Sequence, residues 1–159
     1  MDGRLAFLIA TLALAGCTSP GSRVQSYAGK QLPPEEVATV FSTMGGRYGN
    51  TVICSVDEQP VRPMGGCANV IYVLPGSHVL GWRYDSYGTA GNGKLLLRAE
   101  AGRIYQLNAS PLGEVNGKLT GMAQTMPMAP GSKLTYRNVN PGYVPSGAKL
   151  DDIVPYGAN

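Results

Sequence analysis

A chain of 159 residues is long enough for one domain with its own core. Its net charge of +3 is a mild excess spread along the sequence, with no basic run interleaved with aromatics, which argues against nucleic-acid binding. Only 14% of residues are charged, against 22 glycines and 12 prolines, a balance that suits short strands joined by turns and disfavours long helices.

The N-terminus reads as an address. Arg4 precedes an apolar stretch from Leu5 to Gly16, a length typical of a signal-peptide core. It falls short of the roughly 20 residues needed to cross a bilayer. The stretch ends in Leu14-Ala15-Gly16-Cys17, which resembles the bacterial lipobox. That resemblance implies cleavage before Cys17, acylation of Cys17, and a lipid bilayer as the first partner. Stable anchoring takes more than one acyl chain, at ~0.8 kcal/mol per buried methylene, and a di- or triacylated cysteine meets that condition. An ordinary secretory signal cut elsewhere is the alternative. Thr18, not aspartate, follows Cys17. Under the Gram-negative sorting rule this points to the outer membrane, periplasmic face. Residues 1–16 are then a signal peptide and 17–27 a lipidated cysteine with a flexible tether. Residues 28–139 form the folded domain.

Within that domain, Leu32 to Phe41 is the one helix candidate. Pro34 suits a first turn, Glu35 and Glu36 suit the positive end of a helix dipole, and Val37, Val40 and Phe41 recur at i, i+3, i+4. From Thr51 the period becomes two. Thr51 to Asp57 places Val52, Cys54 and Val56 on one side. Cys67 to Leu74 is apolar on both sides, as in a central strand. After Pro75-Gly76, His78, Leu80, Trp82 and Tyr84 share a face. Gly91-Asn92-Gly93 signals a turn before a strand over Lys94 to Glu100. Ala101-Gly102 suits a tight hairpin into Arg103 to Ala109, and Asn116-Gly117 a type I′ hairpin. Lys133 to Val139 is the expected last strand, and Asn140 to Asn159 an irregular, Pro/Gly-rich tail. About seven strands at this spacing predict an all-β fold, a small antiparallel β-sandwich with one short N-terminal helix. Its expected core is Val52, Val56, Tyr72, Leu74, Leu80, Trp82, Leu95, Leu97, Tyr105 and Leu107.

Cys54 and Cys67 are an even pair once Cys17 is committed to lipid, in a disulfide-permissive compartment. A bridge across neighbouring strands of one hairpin is expected, contributing roughly 3 kcal/mol for a loop of this size. Two buried free thiols are the alternative.

Several short motifs recur together: Tyr27-Ala28-Gly29, Glu36-Val37-Ala38, Val56-Asp57, Leu74-Pro75-Gly76-Ser77-His78 and Gly102-Arg103-Ile104-Tyr105. Over residues 27–109 this resembles a group of small uncharacterised bacterial envelope lipoproteins. The Val-Asp and Leu-Pro-Gly-x-His portion is similar to the PEGA repeat, a small β-sandwich module. The resemblance implies a β-sandwich and transfers no catalytic residue. Glu58 stands where glycine usually follows the aspartate, which implies a different turn type at Asp57.

Chemistry-bearing residues are sparse. His78 is the single histidine. It reads as a turn residue bonded to backbone, with a ligand or pH-sensitive interaction contact and a general base as alternatives, the last needing a nucleophile and an orienting partner. No serine sits in a Gly-x-Ser-x-Gly elbow. Asp151 and Asp152 lie in the expected loose tail, a poor place for a glycosidase pair. Met122, Met126 and Met128 could serve Cu(I) as soft thioether ligands, or fill an irregular apolar gap. Nine tyrosines, Tyr84 and Tyr87 among them, suit half-exposed contact surfaces. The expectation is a non-enzymatic, cofactor-free lipoprotein with an interaction or structural role in the envelope. Its partner is an envelope protein or, alternatively, peptidoglycan or another glycan.

Overall fold

The computed structural model describes residues 23–43, 50–86, 89–115, 118–139, 146–149, 151–154 and 156, and nine strands form two sheets within it. The first sheet runs in the order β1 (Arg23–Gln25), β5 (Val70–Val73), β2 (Ala38–Ser42), β8 (Ile104–Val115) and β9 (Lys118–Pro127). The second runs β4 (Gln59–Pro60), β3 (Asn50–Val56), β6 (Gly76–Ser86) and β7 (Thr89–Ala99). The all-β, sandwich-like expectation holds, with more strands than expected. The pairing is mixed: β1 with β5 and β2 with β8 are parallel.

The main core lies between the sheets. Val40, Ile71 and Leu107 from the first meet Ile53, Leu80, Trp82 and Leu97 from the second, all nearly water-free. Full burial of such side chains stabilises by ~1.5–3 kcal/mol each. A second core occupies the opposite face of the first sheet. There Val37, Phe41, Val70 and Tyr72 are covered by Leu134, Val139 and Val154, with Tyr156 packed alongside.

This two-sided burial explains why the expected helix is a strand. Val37 and Phe41 point into the second core while Ala38 and Val40 point into the first. All five residues of β2 are buried. The same apolar spacing satisfies a helix face and a strand covered on both sides, and the β-branched run favours the strand. Pro33 to Glu36 forms a turn instead, closed by the Glu36 amide on the Pro33 carbonyl at 3.0 Å.

Other segments also depart from expectation. Residues 23–25, in the stretch expected to be tether, are β1. Gly91-Asn92-Gly93 lies inside β7, opposite Tyr84, Arg83 and Trp82. The reason is steric: a Cβ on Gly93 would lie 2.7 Å from the Trp82 ring, and one on Gly121 of β9 2.9 Å from it. The indole occupies the space those glycines leave. The Ala101-Gly102 turn switches the chain between sheets, since β7 pairs only with β6 in its sheet and β8 with β2 and β9. In β3, a register shift between Ile53 and Ser55 turns Ile53 and Val56 inward and leaves Val52 and Cys54 half-buried. Leu74, also expected in the core, is 40% exposed. Val115 pairs with Lys118 as a two-residue hairpin requires, and Asn116-Gly117 itself lies outside the described residues.

Lys133 to Val139 is not a full strand. Thr135 makes a single bridge to Ile153, and one helical turn, α1 (Tyr136–Val139), follows. The described part of the tail is irregular but not loose. The Val154 amide donates to the Leu134 carbonyl at 2.8 Å, and Arg137 clamps Asp151 at 2.7 and 3.1 Å. No helix among the described residues is long and apolar enough to cross a membrane.

Candidate functional site

The tightest polar constellation is built on the turn between β3 and β4. Asp57 and Glu58 take φ of 50° and 68°, the left-handed pair of a type I′ hairpin. The turn therefore keeps the form glycine ordinarily serves, contrary to the expectation drawn from Glu58. This places the Asp57 carboxylate beside β6. Oδ1 accepts the Val79 amide at 2.8 Å, and the Asp57 amide donates to the Val79 carbonyl at 2.9 Å. Oδ2 lies 2.7 Å from His78 Nδ1, while His78 Nε2 donates to the Leu74 carbonyl at 2.8 Å. His78 thus clasps the Asp57 turn to the loop that leads from β5 into β6.

The chemistry follows from what each partner accepts. A carbonyl cannot donate, so Nε2 carries a proton. Nδ1 faces the Asp57 carboxylate, so both ring nitrogens are engaged within the turn. His78 and then the Val79 amide hold the Asp57 carboxyl below its ordinary value. Neither ring nitrogen is free to take a proton from a substrate, which favours the turn-residue reading of His78. Beside it, Lys94 of β7 reaches Glu58 at 2.8 Å, an exposed pair.

A concave feature lies elsewhere, at the edge of the second core. A groove of about 410 Å³ is lined by Tyr72, Ile104, Lys133, Leu134, Ile153 and Tyr156, among others. The rings of Tyr72 and Tyr156 stand 4.5 Å apart, tilted by 55°. The Tyr156 hydroxyl donates to the Leu32 carbonyl at 2.6 Å. Burial, reinforced by Tyr27, pushes the Tyr156 hydroxyl up to about 12. Its volume is within the range of small-ligand sites, about 300–1,000 Å³. Sequence reasoning missed this groove because part of its wall, Ile153, Val154 and Tyr156, comes from the segment taken for an irregular tail. The one available signal was the apolar Ile153-Val154 and Tyr156 in a stretch rich in Pro and Gly.

The remaining predicted residues scatter. Cys54 and Cys67 are bridged, with their Cα atoms 4.1 Å apart. They do not share a hairpin: Cys54 is in β3, and Cys67 precedes β5 of the other sheet, next to the Ile53–Ala68 bridge. Tyr84 is 6% exposed within the main core, so its ring offers no contact surface. Tyr72 and Tyr105 are buried too, while Tyr27, Tyr136 and Tyr156 are half-buried. Tyr87 and Cys17 lie outside the described residues. Met122 and Met126 are exposed on β9. Four strand residues separate their Cα atoms by ~13 Å, too far to share one ion. Met128 packs against the second core instead. No cluster of three histidine, cysteine or acidic side chains able to hold a metal occurs among the described residues.

No family model, no curated protein and no solved structure matches this chain.

Proposed function

We propose that the chain is a lipid-anchored protein of the bacterial envelope, held through acylated Cys17 on the periplasmic face of the outer membrane, with a non-catalytic binding or structural role. The observation that carries this reading is the Cys54–Cys67 disulfide in a chain that opens with a lipobox-like segment. Structural disulfides persist in exported proteins and are rare in the reducing cytosol. The likeness to small envelope lipoproteins and to the PEGA module points the same way. The commitment of both His78 nitrogens to Asp57 and Leu74 adds support for a non-catalytic role. Mass spectrometry of the mature protein tests the anchor: the expected product begins at Cys17 and carries acyl chains. A Cys17→Ser variant is expected to leave the detergent phase for the aqueous phase. A wild-type product that starts elsewhere, or needs no detergent, overturns the proposal.

One observation favours a narrower reading, a peptidoglycan or glycan ligand. The groove beside Tyr72 and Tyr156 also carries the hydroxyl residues Thr39 and Ser132, a mixture of aromatic face and hydroxyls suited to a sugar. Purified sacculi are expected to retain the protein, and Tyr156→Ala to release it. Wild-type protein that stays in the supernatant removes the glycan reading and leaves the anchor untouched.

A further inference from the structure

A sheet edge offers unpaired backbone groups to any strand that fits it, and natural proteins close such edges with shortness, proline or charge. Most edges of this sandwich are closed that way. β1 has three residues and opens with Arg23. β4 has two, one of them Pro60. β7 carries the exposed Lys94 and Arg98. β9 is the exception. It is the outer strand of the first sheet, and from Leu119 to Met126 it holds neither a charge nor a proline.

The register shows what this edge presents. The Met128 amide donates to the Ile104 carbonyl at the start of β8 at 2.8 Å. Backbone groups alternate along a strand. Met126, Gln124 and Met122 therefore also turn theirs toward β8, where they stand opposite Gln106, Asn108 and Ser110. The amides and carbonyls of Gly121, Ala123 and Thr125 turn to the open edge. Pro127 falls in the same outward set, where its missing N–H breaks no bond to β8. Side chains follow the pleat. Met122 and Met126 are 58% and 45% exposed, with Gln124 exposed between them. Ala123 packs against the main core instead.

The residue order selects the occupant. About Gln124 the strand is close to a palindrome, with Ala123 and Thr125 small and Met122 and Met126 identical. An antiparallel copy centred on Gln124 sets Met122 against Met126 and amide against amide. It also sets Ala123 against Thr125, whose outward groups exchange both ladder bonds. Gly121 donates to the Pro127 carbonyl, and the missing Pro127 N–H ends the ladder. The strip brings no like charges face to face. The Gln124 pair extends the Asn108–Gln124 row into a line of side-chain amides across both copies, each able to donate and accept. A copy meets all these matches by symmetry, as an isologous interface requires.

We propose that two copies of this chain pair antiparallel along β9, on a two-fold axis at Gln124, and join their first sheets into one. The pairing depends neither on an acylated Cys17 nor on a glycan in the groove.

The test uses full-length protein in mild detergent. Because Gln124 turns its backbone toward β8, the two Gln124 residues form a non-hydrogen-bonded pair with Cα atoms ~4.5 Å apart. A disulfide spans about 4.4–6.8 Å. Gln124→Cys is therefore expected to link two chains under mild oxidation, at a bond mapped to residue 124 by mass spectrometry, since the native Cys54 and Cys67 are bridged. Met122→Cys alone is expected not to link, because its two copies stand ~13 Å apart. Mixed with Met126→Cys, it is expected to link the two variants. Sedimentation is expected to show a dimer for wild type and a monomer for Gln124→Lys, which sets two cations face to face. A monomeric wild type overturns the proposal, as does linkage of Met122→Cys alone as strong as that of Gln124→Cys. A dimer that survives Gln124→Lys and leaves Gln124→Cys unlinked uses another surface and overturns it equally.

Discussion

Asp57 and Glu58 both hold left-handed backbone with a Cβ in place, a conformation that costs an L-residue roughly 1–2 kcal/mol. Asp57 recovers part of that cost through the Val79 amide and His78. Glu58 has only Lys94, an exposed pair that solvent screens. Glu58→Gly is therefore expected to raise the urea midpoint, because the relief of the left-handed backbone outweighs the loss of a screened ion pair. An unchanged or lower midpoint would show that the pair outweighs the backbone strain. Asp57 contributes to the acid limb of stability. Its carboxyl is easier to ionise in the fold than at the ordinary value of 3.8, because of His78 and Val79. The stabilisation is whole above that ordinary value and is lost as pH falls through the lowered folded value. Thermal melts below about pH 4 are expected to show a steeper fall for wild type than for Asp57→Asn. Parallel slopes would assign the acid limb to other carboxylates.

At the scale of elements, the disulfide ties β3 of one sheet to the chain entering β5 of the other, across a sequence separation of 13. A loop of about 15 residues corresponds to ~3 kcal/mol in the chain-entropy picture. Cys54→Ser with Cys67→Ser is expected to lose about that much, read from urea midpoints at constant slope. A loss below about 1 kcal/mol would mean that the neighbouring Ile53–Ala68 pair holds the crossing unaided. The pairing of the cysteines was legible from the expectation of export and an even pair, but their placement was not, because sequence spacing cannot say which sheet a strand joins. β6 was legible, since Leu80, Trp82 and Tyr84 alternate cleanly into the core. β2 was not, since burial on both faces erases the period of two. Gly91 and Gly93 carried a turn signal that Trp82 overrode by packing against the bare backbone. At the candidate site, His78 was legible as a turn residue bonded to backbone. Its carboxylate partner Asp57 is 21 positions away, and nothing local joins the two.

On the scale of the whole molecule, the first sheet is a middle layer. One face meets the second sheet and the other meets the C-terminal cover of Leu134, Val139 and Val154. Within the cover the Val154 amide bonds the Leu134 carbonyl and the Tyr136 amide the Asp152 carbonyl, while two side-chain bonds, from the Tyr156 hydroxyl to Leu32 and from the Thr43 hydroxyl to the Asn138 carbonyl, tie it to the rest of the domain. β2, by contrast, is paired on both sides and buried throughout. Regions with few buried contacts and few backbone bonds open at lower free energy than the sheets they cover. Native-state hydrogen exchange is therefore expected to show the Val154 and Tyr136 amides opening together, with the amides of Val40 and Ile71 still protected. Tyr156→Phe removes one bond of the cover, which typically contributes ~0.5–1.5 kcal/mol, and is expected to lower protection at Val154 while leaving Ile71 unchanged. Raising the pH acts on the same layer. The Tyr156 hydroxyl stays neutral in the fold up to about 12 against an ordinary 10.0, so its contribution is whole below 10.0 and is lost as pH climbs toward the folded value. If Val154 and Ile71 instead share one opening free energy in wild type and Tyr156→Phe alike, the cover and the sandwich are a single cooperative unit and the layered account fails.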